Sequence, residues 1–202
     1  MPVRIAHISD THLGTRFREG IKQNMWAEEM RSRLLENDFY ERFREMFEII
    51  ATMDPPVDLV VHSGDLYDTP TANNSRPPPE MARIVTQTAL KGFIENTGIP
   101  ILIIEGNHGL FRSYELSLLE TLKIAIPGLE VFTQVDLKRA MQEGTPLKKE
   151  YDNFEVFCFP FIGYDILESS NHVTVYNDWV TNCQVPNSKL PSVAVAHGMG
   201  AD

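Results

Sequence analysis

Six residues of this chain pair cation-binding side chains with positions just past an apolar run. Asp10 and His12 follow Val3–Ile8, and Asp65 follows Val57–Val61 behind Ser63-Gly64. Asn107 and His108 follow Ile101–Ile104, and His197 follows Val193–Ala196. Two carboxylates, one amide and three imidazoles form a mixed oxygen and nitrogen set. Such a set suits Mn²⁺, Fe²⁺ or Zn²⁺ better than Ca²⁺ or a thiolate-preferring ion. In extended backbone the side chains of residues i and i+2 point the same way, so Asp10 and His12 can hold one ion. Asn107 and His197 can hold a second. Asp65, from the strand between the two pairs, is placed to bridge them. His108 is then free to stabilise or protonate a leaving oxygen. Two divalent ions about 3.5–4 Å apart clamp a phosphoryl group and activate water. The chemistry expected is in-line hydrolysis of a phosphoester without a covalent enzyme intermediate.

Each motif alone has a plainer explanation. Asp-x-His recurs by chance, Gly-Asp is an ordinary turn dipeptide, and a histidine at a strand end is commonly structural. Their shared position is what raises them. A parallel or mixed α/β sheet lines up the C-terminal ends of its strands on one edge, and ligands bind there. Gly64 adds a sharp turn and close backbone approach. His7 and His62 lie in or at the end of strands and read as core or supporting groups, and His172 is given no role.

The elements that must position these residues are legible in part. Strands are expected at Val3–Ile8, Val57–Val61, Ile101–Ile104, Leu129–Phe132, Phe154–Phe159 and Val193–Ala196. Asn37 and Asp38 cap a helix whose Phe39, Phe43, Met46, Phe47 and Ile50 recur at helical spacing. Pro77-Pro78-Pro79 leads into a second helix, with Met81, Ile84, Val85 and Thr88 on one face and a stop at Asn96-Thr97-Gly98. Ser113 is placed to cap a short helix with Leu116, Leu119 and Leu122 inward, and Ile21–Leu35 has helical composition. Thr133–Asp152 and Tyr164–Pro191 read as polar connections.

The composition narrows the class. The 202 residues suit one domain, or one domain with part of a second, and 43% hydrophobic content is enough to bury a core. No apolar stretch approaches the roughly 20 residues of a membrane span, and the N-terminus enters a strand with no signal-peptide pattern. Cys158 and Cys183 form neither a ligand motif nor a disulfide framework. A reduced, cytoplasmic protein with no membrane association is expected. The net charge of −10 argues against a basic nucleic-acid coat but not against a nuclease, whose metal-binding carboxylates are offset by cations. Basic residues cluster locally at Arg16, Arg18, Lys22, Arg31 and Arg33, and at Lys138, Arg139, Lys148 and Lys149.

These motifs resemble the calcineurin-like metallophosphoesterases. Ile8-Ser9-Asp10-Thr11-His12-Leu13-Gly14, His62-Ser63-Gly64-Asp65-Leu66-Tyr67-Asp68 and Ile103-Ile104-Glu105-Gly106-Asn107-His108 are similar to SbcD-type DNA exonucleases and related double-strand-break-repair nucleases. The similarity is densest from Val3 to His108. Beyond Leu122 it rests on Phe157-Cys158-Phe159-Pro160 and Val195-Ala196-His197-Gly198. The resemblance implies an α/β fold, a four-layer α/β/β/α sandwich with two mixed sheets. It also implies Mn²⁺-dependent cleavage of DNA phosphodiesters, a homodimer with Ile21–Ile50 as the contact segment, and an SbcC-type coiled-coil ATPase partner. Three features depart from the family pattern. Gly109 stands where an acidic residue usually follows the Asn-His pair, Asp68 stands where some relatives carry histidine, and no Gly-His-x-His follows His197. Residues 1–202 are therefore expected to be a nuclease domain lacking its C-terminal part. The competing expectations are a phosphatase or small-molecule phosphodiesterase on the same scaffold, and a non-catalytic scaffold that keeps the fold.

Overall fold

The computed structural model describes residues 2–15, 36–68, 76–111, 116–162, 172–184, 186 and 189–198. The proposed Ile21–Leu35 helix, the Ser113 cap and the basic residues between 16 and 33 lie outside this set.

Four strands build the first sheet: β1 (Ile5–Ile8), β2 (Leu59–His62), β3 (Ile101–Ile104) and β6 (Leu129–Phe132). They pair in that order and are parallel throughout. The expected mixed pairing is therefore absent from this sheet among the described residues. The physical reason lies in the connections. Helix α1 (Glu36–Ala51) separates β1 from β2, and α2 (Glu80–Thr97) separates β2 from β3, and a crossover of that length returns the chain parallel. Two short strands, β4 (Leu110–Phe111) and β5 (Leu116–Ser117), form an antiparallel pair before helix α3 (Leu119–Ala125).

Alternation along the strands divides the core in two. Val60, Ile101, Ile103, Leu129 and Val131 face Phe43, Phe47 and Ile50 of α1 and Val85, Leu90 and Phe93 of α2. Leu59, Val61, Leu102 and Ile104 face the other way, toward a second sheet. With both faces covered the strands need no polar side, which accounts for the continuous apolar run Ile101–Ile104. Each fully buried Ile or Leu contributes about 1.5–3 kcal/mol.

The α1 face is as expected, with Tyr40 added to it. The α2 face is not. Met81 and Ile84 are exposed, and the inward stripe is Ala82, Val85, Thr86, Leu90 and Phe93. Both stripes contain Val85 and have helical spacing, so periodicity alone does not choose between them. Gly98 ends α2 in the left-handed conformation (φ 69°), and its N–H donates to Ile94 O at 2.8 Å.

The second sheet is mixed, as anticipated. Strand β7 (Lys148–Glu150) is antiparallel to β8 (Glu155–Phe159), and β8 is parallel to β9 (Ser192–Ala196). Buried Glu155 ties all three strands. Lys148 Nζ lies 2.8 Å from its carboxylate, and Ser192 Oγ donates to it at 2.7 Å. Two segments read as polar connections hold helices: α4 (Gln134–Glu143) and α5 (His172–Cys183). Helix α4 starts at a capping box between Thr133 and Asp136, a signal present in the sequence. Helix α5 seats Trp179 in the core between the sheets, where its indole N–H donates to Thr145 O at 2.9 Å. No helix among the described residues is long and apolar enough to cross a membrane.

Candidate metal centre

The loops after β1 and β2 run side by side past the ends of their strands. Asp10 N–H donates to Gly64 O at 3.0 Å, His12 N–H to Asp65 O at 3.0 Å, and Leu13 N–H to Leu66 O at 2.9 Å. Within this ladder Asp10, His12 and Asp65 adopt positive φ values of 54°, 43° and 53°. Non-glycine residues rarely sit there, although Asp and His are among the better tolerated. Glycine would relieve the backbone but would bring no ligand atom, so strain coincides with the groups that can bind.

Two glycines open the space for close contact. A Cβ on Gly64 would lie 2.2 Å from His197 Nδ1, and one on Gly106 would lie 2.0 Å from Asp65 Oδ1. Both distances are far below van der Waals contact, so no other residue fits at these positions without moving the site.

The six predicted residues converge on this rim. Asp65 Oδ2 lies between two imidazoles, 3.7 Å from His12 Nε2 and 3.5 Å from His197 Nε2. Its Oδ1 accepts the His108 backbone N–H at 3.0 Å. Asp10 Oδ1 is 3.9 Å from His12 Nε2, and His197 Nε2 is 3.1 Å from Asn107 Oδ1. Among the described residues two groups have donor atoms within 4.8 Å of one another: Asp10, Asp65 and His197, and His12, Asp68 and His108. Sequence spacing pairs His12 with Asp10. The geometry also places His12 beside Asp68, to which spacing assigns no role. Asp68 Oδ1 is 3.4 Å from His12 Nδ1 and 3.7 Å from His108 Nδ1. Its signal in the chain is a second carboxylate three residues after Asp65.

Hydrogen bonds set the imidazole orientations. Ser63 O accepts from His197 Nδ1 at 2.8 Å, and Asp68 O accepts from His108 Nδ1 at 2.5 Å. A carbonyl can only accept, so each Nδ1 carries hydrogen and each Nε2 is left for other chemistry. His62, read as a supporting group, is fully buried and joins the two loops. Its Nε2–H donates to Thr11 Oγ1 at 3.0 Å, Thr11 Oγ1–H donates to Leu66 O at 3.1 Å, and Gly64 N–H donates to His62 Nδ1 at 3.4 Å. His7 Nε2 lies 2.8 Å from Ser63 Oγ.

The electrostatics fit a cation site. Burial alone would raise the Asp65 carboxyl, but hydrogen bonds from His197 and the His108 N–H, with the nearby imidazoles, hold it below the usual carboxylate range. The Asp65 carboxylate raises His197 against the effect of burial. Burial lowers His62 to about 4, which keeps it neutral. His197 Nε2 is flanked by the acceptor oxygens of Asn107 and Asp65. Such an imidazole either carries a second proton or shares a cation with those oxygens. His12 Nδ1 is buried without a hydrogen-bond partner, another atom that a cation would satisfy. The donor set is oxygen and imidazole with no thiolate; Cys158 is buried in the core between the sheets.

A parallel sheet that delivers Asp, His and Asn from successive strand ends defines a phosphoesterase class. The chain belongs to the calcineurin-like phosphoesterase family, whose sequence profile matches residues 3–197. Similar proteins are the DNA double-strand break repair proteins Mre11 of Methanococcus maripaludis, 33% identical over 113 residues, and Sulfurisphaera tokodaii, 34% over 105. The corresponding protein of Haloferax volcanii is 33% identical over 123 residues. These matches cover 56%, 52% and 60% of this chain, and 25%, 22% and 23% of the relatives. The chain thus matches about a quarter of the length of these relatives.

Proposed function

We propose that this protein hydrolyses DNA phosphodiesters with the help of two divalent cations held on the rim described above. The observation that carries the reading is the convergence of Asp10, His12, Asp65, Asn107 and His197 on one strand-end edge. The names of the relatives support DNA as substrate. The α/β/β/α layering is part of the same reading: α1 and α2 cover one face of the first sheet, and the second sheet covers the other. The homodimer and coiled-coil ATPase partner implied by the resemblance belong to the proposal as well.

Asp10 and His12 would hold one ion, Asn107 and His197 the other, and Asp65 both. When bound, such ions, Mn²⁺ by preference, would neutralise the phosphoryl oxygens and lower the pKa of a water at the site. The chain's own part is orientation and proton transfer. Ser63 O fixes the His197 ring so that Nε2 faces the site, and the hydrogen bond from His108 N–H fixes the Asp65 carboxylate. Water attacks phosphorus and releases a proton to solvent as the bond to the leaving oxygen opens. In its doubly protonated form His108 gives the Nε2 proton to that oxygen, keeps its Nδ1–H on the Asp68 carbonyl, and regains the Nε2 proton from solvent.

The test is cleavage of linear duplex DNA, single-stranded DNA and a bis-aryl phosphodiester, with Mn²⁺ and with a chelator. The expected result is cleavage of all three with Mn²⁺ and of none with the chelator. Turnover of the aryl ester without DNA cleavage would remove DNA from the reading. Inactivity on every substrate would remove the hydrolase itself.

A further inference from the structure

Between the end of β3 and the Asn107–His108 pair lies a carboxylate that the proposed chemistry does not use. Glu105 is fully buried. Its Oε1 accepts from Ser117 Oγ at 2.5 Å, and its Oε2 accepts the Gln134 backbone N–H, in the first turn of α4, at 2.8 Å. Ser117 Oγ in turn accepts from Leu119 N–H at 3.1 Å. The Glu105 backbone is held too: its N–H donates to Phe132 O, and its carbonyl accepts from Phe161 N–H, both at 2.9 Å. The side chain is therefore fixed at both oxygens and at its root.

The loop that carries Asn107 and His108 is wrapped around this carboxylate. At the near end, the Gln134 side chain donates from Nε2 to Gly106 O at 2.9 Å. At the far end, Gly109 O accepts from Leu118 N–H at 3.2 Å, and a Cβ on Gly109 would lie 2.8 Å from Glu105 Oε1 and 3.0 Å from its Cγ. Residues 105 and 109 thus compete for one volume, and the contents of that volume bound the loop on both sides.

We propose that Glu105 is a positioning residue for Asn107 and His108, and that its carboxylate fills the space a side chain on residue 109 would otherwise take. What the two positioned residues do rests on the phosphoesterase reading; the exchange of space between 105 and 109 does not. The proposal predicts that the carboxylate can be delivered from either position, but not from both and not from neither.

The test uses the full chain with Gly109→Asp, Glu105→Gly and the double variant Glu105→Gly/Gly109→Asp. Amide hydrogen exchange in the presence of a chelator reads loop order at His108, whose N–H donates to Asp65. Calorimetric Mn²⁺ titration reads its consequence. Each single change is expected to lower His108 protection and Mn²⁺ affinity at least tenfold while protection at Ile103 in β3 stays as in wild type. The double variant is expected to recover both to within threefold. A double variant no better than the worse single, or singles indistinguishable from wild type, overturns the proposal. Equal loss at Ile103 and His108 marks a general packing role and overturns it as well. If Gly109→Asp does not fold, Glu105→Gln and Glu105→Ala decide: Gln retains His108 protection and Ala loses it, and equal loss in both refutes the assignment. A wild type that binds no Mn²⁺ would sink the phosphoesterase reading, while the exchange measurements would still decide the 105–109 relation.

Discussion

The two sheets supply the candidate site in different ways. The first gives Asp10, His12, Asp65, Asn107 and His108 from three neighbouring strand ends, on loops hydrogen-bonded to one another. Among the described residues it carries three non-glycine residues at positive φ, and it buries Glu105 among neutral donors. The second sheet gives His197 alone, from regular strand β9, held by a backbone bond from His197 N–H to Phe159 O at 3.1 Å and by Ser63 O at its ring. Its buried carboxylate, Glu155, has the Lys148 ammonium beside it. Strain and unpaired burial thus gather where several ligand residues must be aimed at once. A single imidazole can be placed by ordinary strand geometry and two hydrogen bonds.

The sharpest way to break this contrast is to remove one histidine from each side. His108→Ala should lower kcat roughly 10²–10⁴-fold, the usual range for losing a general acid, with Mn²⁺ affinity unchanged in a calorimetric titration. His197→Ala should instead weaken Mn²⁺ binding. Equal losses of affinity in the two variants would contradict the division of roles. Next in size is Gly64→Ala. It places a Cβ 2.2 Å from His197 Nδ1 at φ 116°, so overpacking and backbone strain together should cost about 3 kcal/mol in urea unfolding. Gly198, on the second-sheet side, has nothing within 4 Å of an added Cβ. Gly198→Ala should therefore stay within about 0.5 kcal/mol of wild type.

The buried groups of the first sheet predict a pH dependence in metal-free protein. Burial lowers His62 to about 4, so its contribution to stability is full above the unfolded value of 6.5 and is lost as pH falls toward 4. Burial raises Glu105 to about 7 from 4.5, so its contribution is full below 4.5 and is lost as pH rises toward 7. The two slopes oppose each other between pH 4.5 and 6.5. In Glu105→Gln the His62 slope is uncovered, and stability should rise with pH by about 2–3 kcal/mol more than in wild type over that window. A parallel pair of curves from chemical denaturation would show that Glu105 does not titrate there. A smaller loss is expected of Ser192→Ala in the second sheet. It removes one hydrogen bond from a carboxylate that keeps its lysine, and should cost about 1 kcal/mol in the same unfolding measurement.

Residue types at strand ends make the rim legible in the amino-acid sequence, because the β1, β2, β3 and β9 runs are mostly apolar and each is followed by a ligand type. The pairing of ligands is harder to read. His12 reaches both Asp10 and Asp68 because the loop after β1 bends at two positive-φ residues, whereas the spacing argument assumes extended backbone. Helices α4 and α5 escape the pattern because their polar residues outnumber those that pack, Leu137, Ala140 and Met141 in one and Tyr176, Trp179, Val180 and Cys183 in the other. Thr133 and Asp136 nonetheless announce the first of them. The α2 face is misread because large Met81 and Ile84 outweigh small Ala82 in the pattern, while the packing against the sheet selects Ala82. Glu105 looks like a spacer between a strand and a glycine; only its three-dimensional neighbours give it a role.

One hydrogen bond, from Phe161 N–H to Glu105 O, crosses from the segment after β8 to the end of β3. It straps the two sheets together at the rim, beside the loop that carries Asn107. A strap in that place acts as a pivot. If the sheets rock against each other, points near the pivot move least and the opposite end of the inter-sheet core moves most. The lever arm is short where His197 meets Asp65 and long where β1 and β9 begin, so any rocking of the two sheets would displace the site least.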